Sequence, residues 1–279
     1  MSCFRCLVLS LLASNVLAAG DGFLIGAGVE ADSSDGLAGS LLGGLGLSEK
    51  TWISAGIAKS SVDIAPRPNL ETLYADFEID HWFKPLGVRL GAAYWGDSDI
   101  LDSTDLRGSI YWRGDKASIS GDFEYRDFDF VIPATERFVG RTFVFDANAT
   151  GVTVRLDLSD TIDLSLSGMK YDYSVDFRPS DNRDIVSFLS ASRLSLINSL
   201  VANRATATIG VDHGLRRWQL GLSTREGAVD GARTKSSTLS FLTPMASKSD
   251  IEFSIGFDDS ELYGDVMFFS LFVYFYGGT

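Results

Sequence analysis

Apolar and polar side chains take turns in segment after segment of this 279-residue chain. Ile251, Phe253, Ile255 and Phe257 alternate with Glu252, Ser254, Gly256 and Asp258. Trp218, Leu220 and Leu222 alternate with Gln219, Gly221 and Ser223, and Ala205, Ala207, Ile209 and Val211 with Thr206, Thr208, Gly210 and Asp212. The same reading fits Leu73 to Ile79 and Leu106 to Trp112. A period of two puts successive side chains on opposite faces of an extended strand. A chain patterned this way throughout becomes a sheet with one greasy and one polar face. Beyond residue 18 no stretch reaches the 18 or more unbroken apolar residues of a membrane helix, so a membrane location requires that the strands do the crossing.

Short turns alternate with longer acidic loops, the rhythm of an up-and-down antiparallel barrel whose two ends meet different compartments. The pattern predicts strands near 22–30, 37–47, 50–60, 70–80, 86–96, 104–113, 116–130, 141–157, 162–175, 203–212, 217–226, 235–243, 250–258 and 264–276. That is fourteen, and a count of twelve also fits. Alternation changes phase near Thr150 and Gly151 and again near Gly168, which predicts bulges or displaced strand boundaries. A soluble secreted β-sandwich is the rival fold.

Residues 1–18 read as a secretory signal: Arg5, the apolar run Leu7 to Leu12, then Val16, Leu17 and Ala18, with cleavage after Ala18 and a barrel domain over 19–279. Both cysteines, Cys3 and Cys6, fall inside that signal, so the mature chain is expected to rely on packing and backbone hydrogen bonds rather than disulfides.

Amphipathic rings collect where membrane meets water. Trp52, Trp82, Trp112 and Trp218 all fall beside short turns and are expected to mark one membrane interface. Tyr94, Tyr125, Phe128, Tyr171, Tyr173 and Tyr263 are expected to mark the other. In the last strand Met267, Phe269, Leu271, Val273 and Phe275 form an unbroken apolar face, with Tyr274 and Tyr276 close behind. On these features the chain resembles the integral outer-membrane β-barrels of Gram-negative bacteria, porin-like in pattern, over essentially everything after the signal. The resemblance implies that the barrel-assembly machinery reads the terminal strand through Phe269, Leu271, Val273 and Phe275. Gly277, Gly278 and Thr279 follow the last aromatic, a departure from the usual ending.

The net charge of −13 gives no basic footprint for nucleic acid. The acids gather in the long loops, among them Asp32, Asp35, Asp97, Asp99, Asp102 and Glu261, and the bases Lys50, Lys84, Lys116, Arg216, Arg217 and Lys248 in the short turns. An acidic outer surface suits divalent cations that bridge to lipopolysaccharide, one of the expected membrane partners alongside lipid; plain solvation of the loops is the alternative.

The polar faces carry Glu30, Asp76, Glu78, Arg89, Arg107, Asp122, Glu124, Arg126, Arg155, Asp157, Arg204, Asp212, Arg225 and Glu252, all expected to line the lumen. Burying that many ions unpaired and dry costs several kcal/mol apiece, so the interior must hold water, ion pairs or both. Fourteen strands about 4.8 Å apart, tilted roughly 40°, enclose a backbone diameter on the order of 28 Å. The expectation is a passive channel for small polar solutes, with no cofactor and no metal; a lumen filled by side chains or an inserted loop is the alternative.

Over 182–202, Ile185, Phe188, Leu189, Leu196 and Leu200 fit a helical stripe, placed in the longest outer loop as a constriction, a lid, an apolar trap or a rim decoration. A membrane hydrolase would need a histidine at the outer rim, whereas His81 and His213 fall beside short turns. An adhesin or an assembly barrel is the remaining functional class. The Arg113-Gly114-Asp115 tripeptide reads first as a hairpin turn.

Overall fold

The computed structural model describes residues 22–64, 67–97, 99–132, 141–175, 200–229, 231–261 and 264–278. The signal segment and 182–199 of the predicted helical stretch lie outside them, as does Tyr263. Val201 and Ala202, at the end of that stretch, are strand rather than helix.

The strands are β1 (Phe23–Asp32), β2 (Gly36–Ser48), β3 (Thr51–Ile64), β4 (Arg67–Trp82), β5 (Leu86–Asp97), β6 (Leu101–Arg113), β7 (Ala117–Ile132), β8 (Arg141–Ser159), β9 (Ile162–Tyr173), β10 (Val201–His213), β11 (Arg216–Gly227), β12 (Arg233–Ala246), β13 (Ser249–Ser260) and β14 (Gly264–Gly277). Each pairs antiparallel with its neighbours in sequence, and β1 pairs with β14 from Phe23↔Gly277 to Asp32↔Phe268, closing a fourteen-stranded barrel. The soluble sandwich and the count of twelve are thereby set aside.

The two ends differ. At one end every connection is two or three residues long, as between Ser48 and Thr51 or His213 and Arg216. At the other, tight connections such as β1 to β2 stand beside the long ones from β7 to β8 and from β9 to β10. The contrast of long and short connections therefore rests mainly on these two.

Alternation is realised across the wall. Leu90 is 56% exposed and Ile110 59%, and Phe77, Leu106, Phe123, Leu222, Ile255 and Phe269 are exposed on the same outer face. Their chain neighbours turn inward. On β7 the outer face runs Ile119, Gly121, Phe123, Tyr125 and then Asp127 and Asp129; on β13 it runs Ile251, Phe253, Ile255, Phe257 and then Asp259. Acids thus end the greasy band on the loop side. A continuous exposed apolar belt of this extent is unstable against water and calls for a hydrocarbon surround.

On the inner face, rings lie flat over glycines of the adjoining strand. Tyr111 covers Gly87, and Phe268 covers Gly256, so closely that a Cβ at either glycine would fall inside the ring's contact distance. The missing side chain is what lets the ring rest on the backbone.

The predicted bulges near Thr150 and Gly168 are absent: β8 pairs without slip against β7 and, from Ala147↔Tyr173 to Asp157↔Asp163, against β9. What changes there is the environment, not the register. Phe145, Ala147 and Tyr173 point inward into an apolar cluster at the loop end, so the greasy residues switch faces while the backbone continues undisturbed.

Candidate functional site

The inner face is the candidate site, and parity along each strand decides who reaches it. All fourteen ionisable residues expected there lie on the face opposite the exposed apolar belt: Glu30 on β1; Asp76 and Glu78 on β4; Arg89 on β5; Arg107 on β6; Asp122, Glu124 and Arg126 on β7; Arg155 and Asp157 on β8; Arg204 and Asp212 on β10; Arg225 on β11; Glu252 on β13. They do not form one ring but fall into separate groups.

The most deeply set group spans β6 to β10. Glu124 accepts from Arg126 Nη2 at 2.8 Å and Nε at 2.9 Å, from Arg107 Nε at 3.2 Å and from the Tyr171 hydroxyl at 2.8 Å. Arg204 approaches the same carboxylate at 3.6 Å and lies 5.6 Å from the Tyr171 ring centroid. Arg107 also donates to Asp105 at 3.0 Å and to Tyr74 at 3.2 Å, and Ser103 donates to Asp105 at 2.6 Å. Arg126 is 2% exposed and stacks on Tyr171 at 4.7 Å. Glu124 and Tyr171 meet although β8 runs between their strands, because the residue between them is Ala149, too small to intervene. Charge-assisted bonds at these distances are the strong kind, and in a buried place they hold the wall rigid.

A second group sits toward the short-turn end. Arg89 lies between Glu78 at 3.2 Å and Asp80 at 3.1 Å, and Tyr111 donates to Asp80 at 2.6 Å. Arg113 stands over the rings of Tyr111 and Trp82 at 5.6 and 5.9 Å. A third surrounds a polar cavity of about 400 Å³ at the same end, lined by Arg155, Asp157, Asp163, Asp212 and Arg217. Arg217 pairs there with Asp163 and, at 3.0 Å, with Asp212.

Other carboxylates, Asp122 and Glu252 among them, are held by hydroxyls rather than arginine. Asp122 accepts from Ser109 at 2.7 Å, Thr153 at 2.8 Å and Ser120 at 3.0 Å. Glu252 accepts from Tyr274 at 2.9 Å and Ser254 at 3.4 Å. Arg225 approaches Asp258 at 3.8 Å, Glu30 lies across from Ser270 and Ala38, and Asp76 lies across from Gly56 and Ala93.

The inner face is less uniformly polar than the sequence suggested. At the loop end, from β2 to β8, Val62, Leu70, Trp95, Leu101, Phe128, Phe145 and Leu200 form one apolar cluster. Phe128 stacks on Phe145 at 4.7 Å and meets Trp95 edge-on at 5.9 Å. At the short-turn end a smaller cluster joins Leu24, Trp52 and Tyr274.

These clusters correct part of the aromatic assignment. Trp112 and Trp218 face outward at 43% and 46% exposure. Trp52 is buried on the inner face, and Trp82 shares that face with Asp80 and Glu78, so neither stands at a membrane interface. Nearness to a turn fixes only the height of a ring; parity fixes its side. Phe128, Tyr171 and Tyr173 likewise point inward, while Tyr94 and Tyr125 face out. Phe269, Leu271, Val273 and Phe275 form the outward face of β14, each across from a residue of β13. His81, one residue before the end of β4, stands beside Thr51, with 2.9 Å between ring Nδ1 and hydroxyl, and His213 ends β10. Gly114 N–H bonds to the Ala117 carbonyl, so the Arg113-Gly114-Asp115 tripeptide is a hairpin turn.

Several members of the networks were not expected in the lumen from the sequence: Asp105, Asp80, Asp163, Tyr74 and Tyr111, and Arg217, expected as a base of a short turn, turns inward instead. The signal was there, since each lies two residues from another inward-facing side chain or on a strand whose phase was already set. On the outer face at the loop side, Asp102 lies across from Asp129, and desolvation first and that neighbouring carboxylate next hold its carboxyl above the ordinary range.

No protein-family model matches the chain, and no curated protein matches it in sequence. Among solved structures it is similar to the CymD monoaromatic hydrocarbon channel at a TM-score of 0.60 and 9% identity, over 97% of this chain and 92% of that one. It is also similar to a loop-L8 deletion mutant of OmpT, an outer membrane protein of Vibrio cholerae, at a TM-score of 0.53 and 8% identity, over 92% and 100%. The likeness to the KdgM porin is looser, with a TM-score of 0.45. At such identities the first two speak for architecture: the chain has the closed, up-and-down antiparallel barrel fold that outer-membrane channels adopt.

Proposed function

We propose that this chain is a multi-pass outer-membrane barrel acting as a passive, porin-like channel for small polar solutes. One observation carries the reading: a closed wall that is apolar outside bears, on its inside, ionised side chains in hydrogen-bonded networks at several heights. Such groups are costly next to hydrocarbon and favourable beside water or one another. The barrel is wide enough in backbone for a wet passage between them. Export through the signal at 1–18, release after Ala18 and reading of the β14 face by the barrel-assembly machinery complete the proposal. Lipid meets the outer belt, and lipopolysaccharide the acidic loop side.

Insertion of the purified mature protein into planar bilayers tests it. Stepwise conductance increments support the channel, while a correctly folded barrel that inserts without passing current leaves a scaffold, an adhesin or an assembly barrel.

A second reading has its own observation. The aromatic cluster of Trp95, Phe128, Phe145 and Tyr173 inside the loop end is a surface for apolar rather than polar solutes. The fold-level likeness to a monoaromatic hydrocarbon channel points the same way. Liposome uptake of an aromatic hydrocarbon against a small sugar separates the two.

A further inference from the structure

We propose that the passage conducts cations in preference to anions, and that a cation dwells against the wall formed by β12, β13, β14 and β1. This rests on the channel reading above. Among the described residues, every charged side chain pointing inward from β12 round to β3 is a carboxylate: Asp250, Glu252, Asp258, Glu30 and Asp32. The arginine that adjoins this wall, Arg225 of β11, reaches Asp258 at 3.8 Å. Opposite, among the described residues, the inward arginines do not outnumber the inward carboxylates: Arg107, Arg126 and Arg204 gather at Glu124 and Asp105, Arg89 lies between Glu78 and Asp80, Arg217 lies between Asp163 and Asp212, and Arg113 and Arg155 are outweighed by Asp76, Asp122 and Asp157. A passage whose charges sum this way concentrates cations and repels anions along its length.

The dwelling place is set by geometry. Ser240, Ser254, Ser270 and Glu30 lie in one cross-strand row on the inner face. Glu252 stands beside the row, two residues before Ser254. Its partners, Tyr274 and Ser254, are neutral, and Ser254 is in turn 2.8 Å from Ser240. Hydroxyls orient a carboxylate and leave its charge in place. Ser270 adds an independent sign: it is 1% exposed, directly across from both Ser254 and Glu30, and its Oγ has no hydrogen-bond partner. Buried polar atoms are nearly always satisfied, so an orphan hydroxyl at the middle of an oxygen row marks a place for a ligand. Carboxylate and hydroxyl oxygens suit hard cations, the alkali and alkaline-earth ions.

The test is the reversal potential of the full mature protein in planar bilayers under a KCl gradient. A potential of cation-selective sign is expected, with Glu252→Gln lowering the potassium-to-chloride permeability ratio by about two- to threefold and Ser270→Ala lowering it less. A ratio at or below one in the wild-type protein overturns the proposal, and it needs no variant to fold. A ratio above one that neither variant changes overturns the dwelling site. Current without selectivity thus sinks this inference alone, whereas absence of current sinks the channel reading and this inference with it.

Discussion

The two halves of the inner wall keep their carboxylates by opposite means. From β4 to β10, Glu124, Asp105, Glu78 and Asp80 are clamped by arginines at 2.8 to 3.2 Å. From β12 to β3 the strands supply no inward cation of their own among the described residues: Glu252 is held by Tyr274 and Ser254, and Asp258 alone is approached by an arginine of the neighbouring β11, at 3.8 Å. Apart from Asp122, which hydroxyls hold, these carboxylates of the first half behave as in the interior of a soluble protein, where a buried charge needs a counter-charge. The second leaves charge in place and stabilises only its orientation. One barrel can therefore be stiff on one side and electrostatically active on the other.

The same substitution in both halves breaks or confirms that contrast. Glu124→Gln removes the carboxylate shared by Arg107, Arg126 and Arg204 and strands buried guanidinium groups; a loss of about 3–5 kcal/mol is expected, read as denaturant unfolding in detergent or vesicles. Phe128→Ala, in the cluster above that network, tests whether the stiff half also depends on packing. The ring is 0% exposed and its removal should cost about 3–5 kcal/mol, at the lower end if the loop side relaxes into the gap.

A smaller effect is expected for Gly256→Ala on the other half, where the added methyl meets the Phe268 ring; about 1–3 kcal/mol is expected, and the double variant with Phe268→Leu should recover part of it. Glu252→Gln keeps the hydrogen-bonding shape among neutral hydroxyls and should change stability by no more than about 1 kcal/mol. Equal losses for Glu124→Gln and Glu252→Gln would erase the distinction between the halves. The slightest effect belongs to the outer rim. The raised Asp102 carboxyl binds its proton more readily folded than unfolded, so its contribution is fully present below the ordinary Asp range and is lost as pH rises through the raised one. Asp102→Asn should flatten that part of the pH–stability profile.

Parity explains what could be read in the sequence. A strand such as β13 declares both faces within ten residues, and with them the inward course of Glu252 and Asp258. The turn residues then fix the ends to within a few positions, as at Lys116 and Arg216. Partners across the lumen are another matter. Nothing in the chain order tells that Tyr171 meets Glu124 over Ala149, because that contact depends on how two strand spacings add around a curved wall. The aromatics misled for a related reason: Trp52 and Trp112 sit at comparable heights beside turns, yet one fills the inside and the other faces out. The apolar cluster at the loop end disguised itself as a slip in register, since greasy side chains changed faces where the surroundings changed from lipid to interior.

The seam between β1 and β14 joins the first described residues to the last, with Phe23 opposite Gly277. Until the final strand has been synthesised and docked, both margins of the growing sheet expose bare amides and carbonyls, an invitation to pair with any passing chain. Protection must consequently last until β14 has docked, and loss of that one strand does more harm than its length suggests, because it leaves two wounds rather than one.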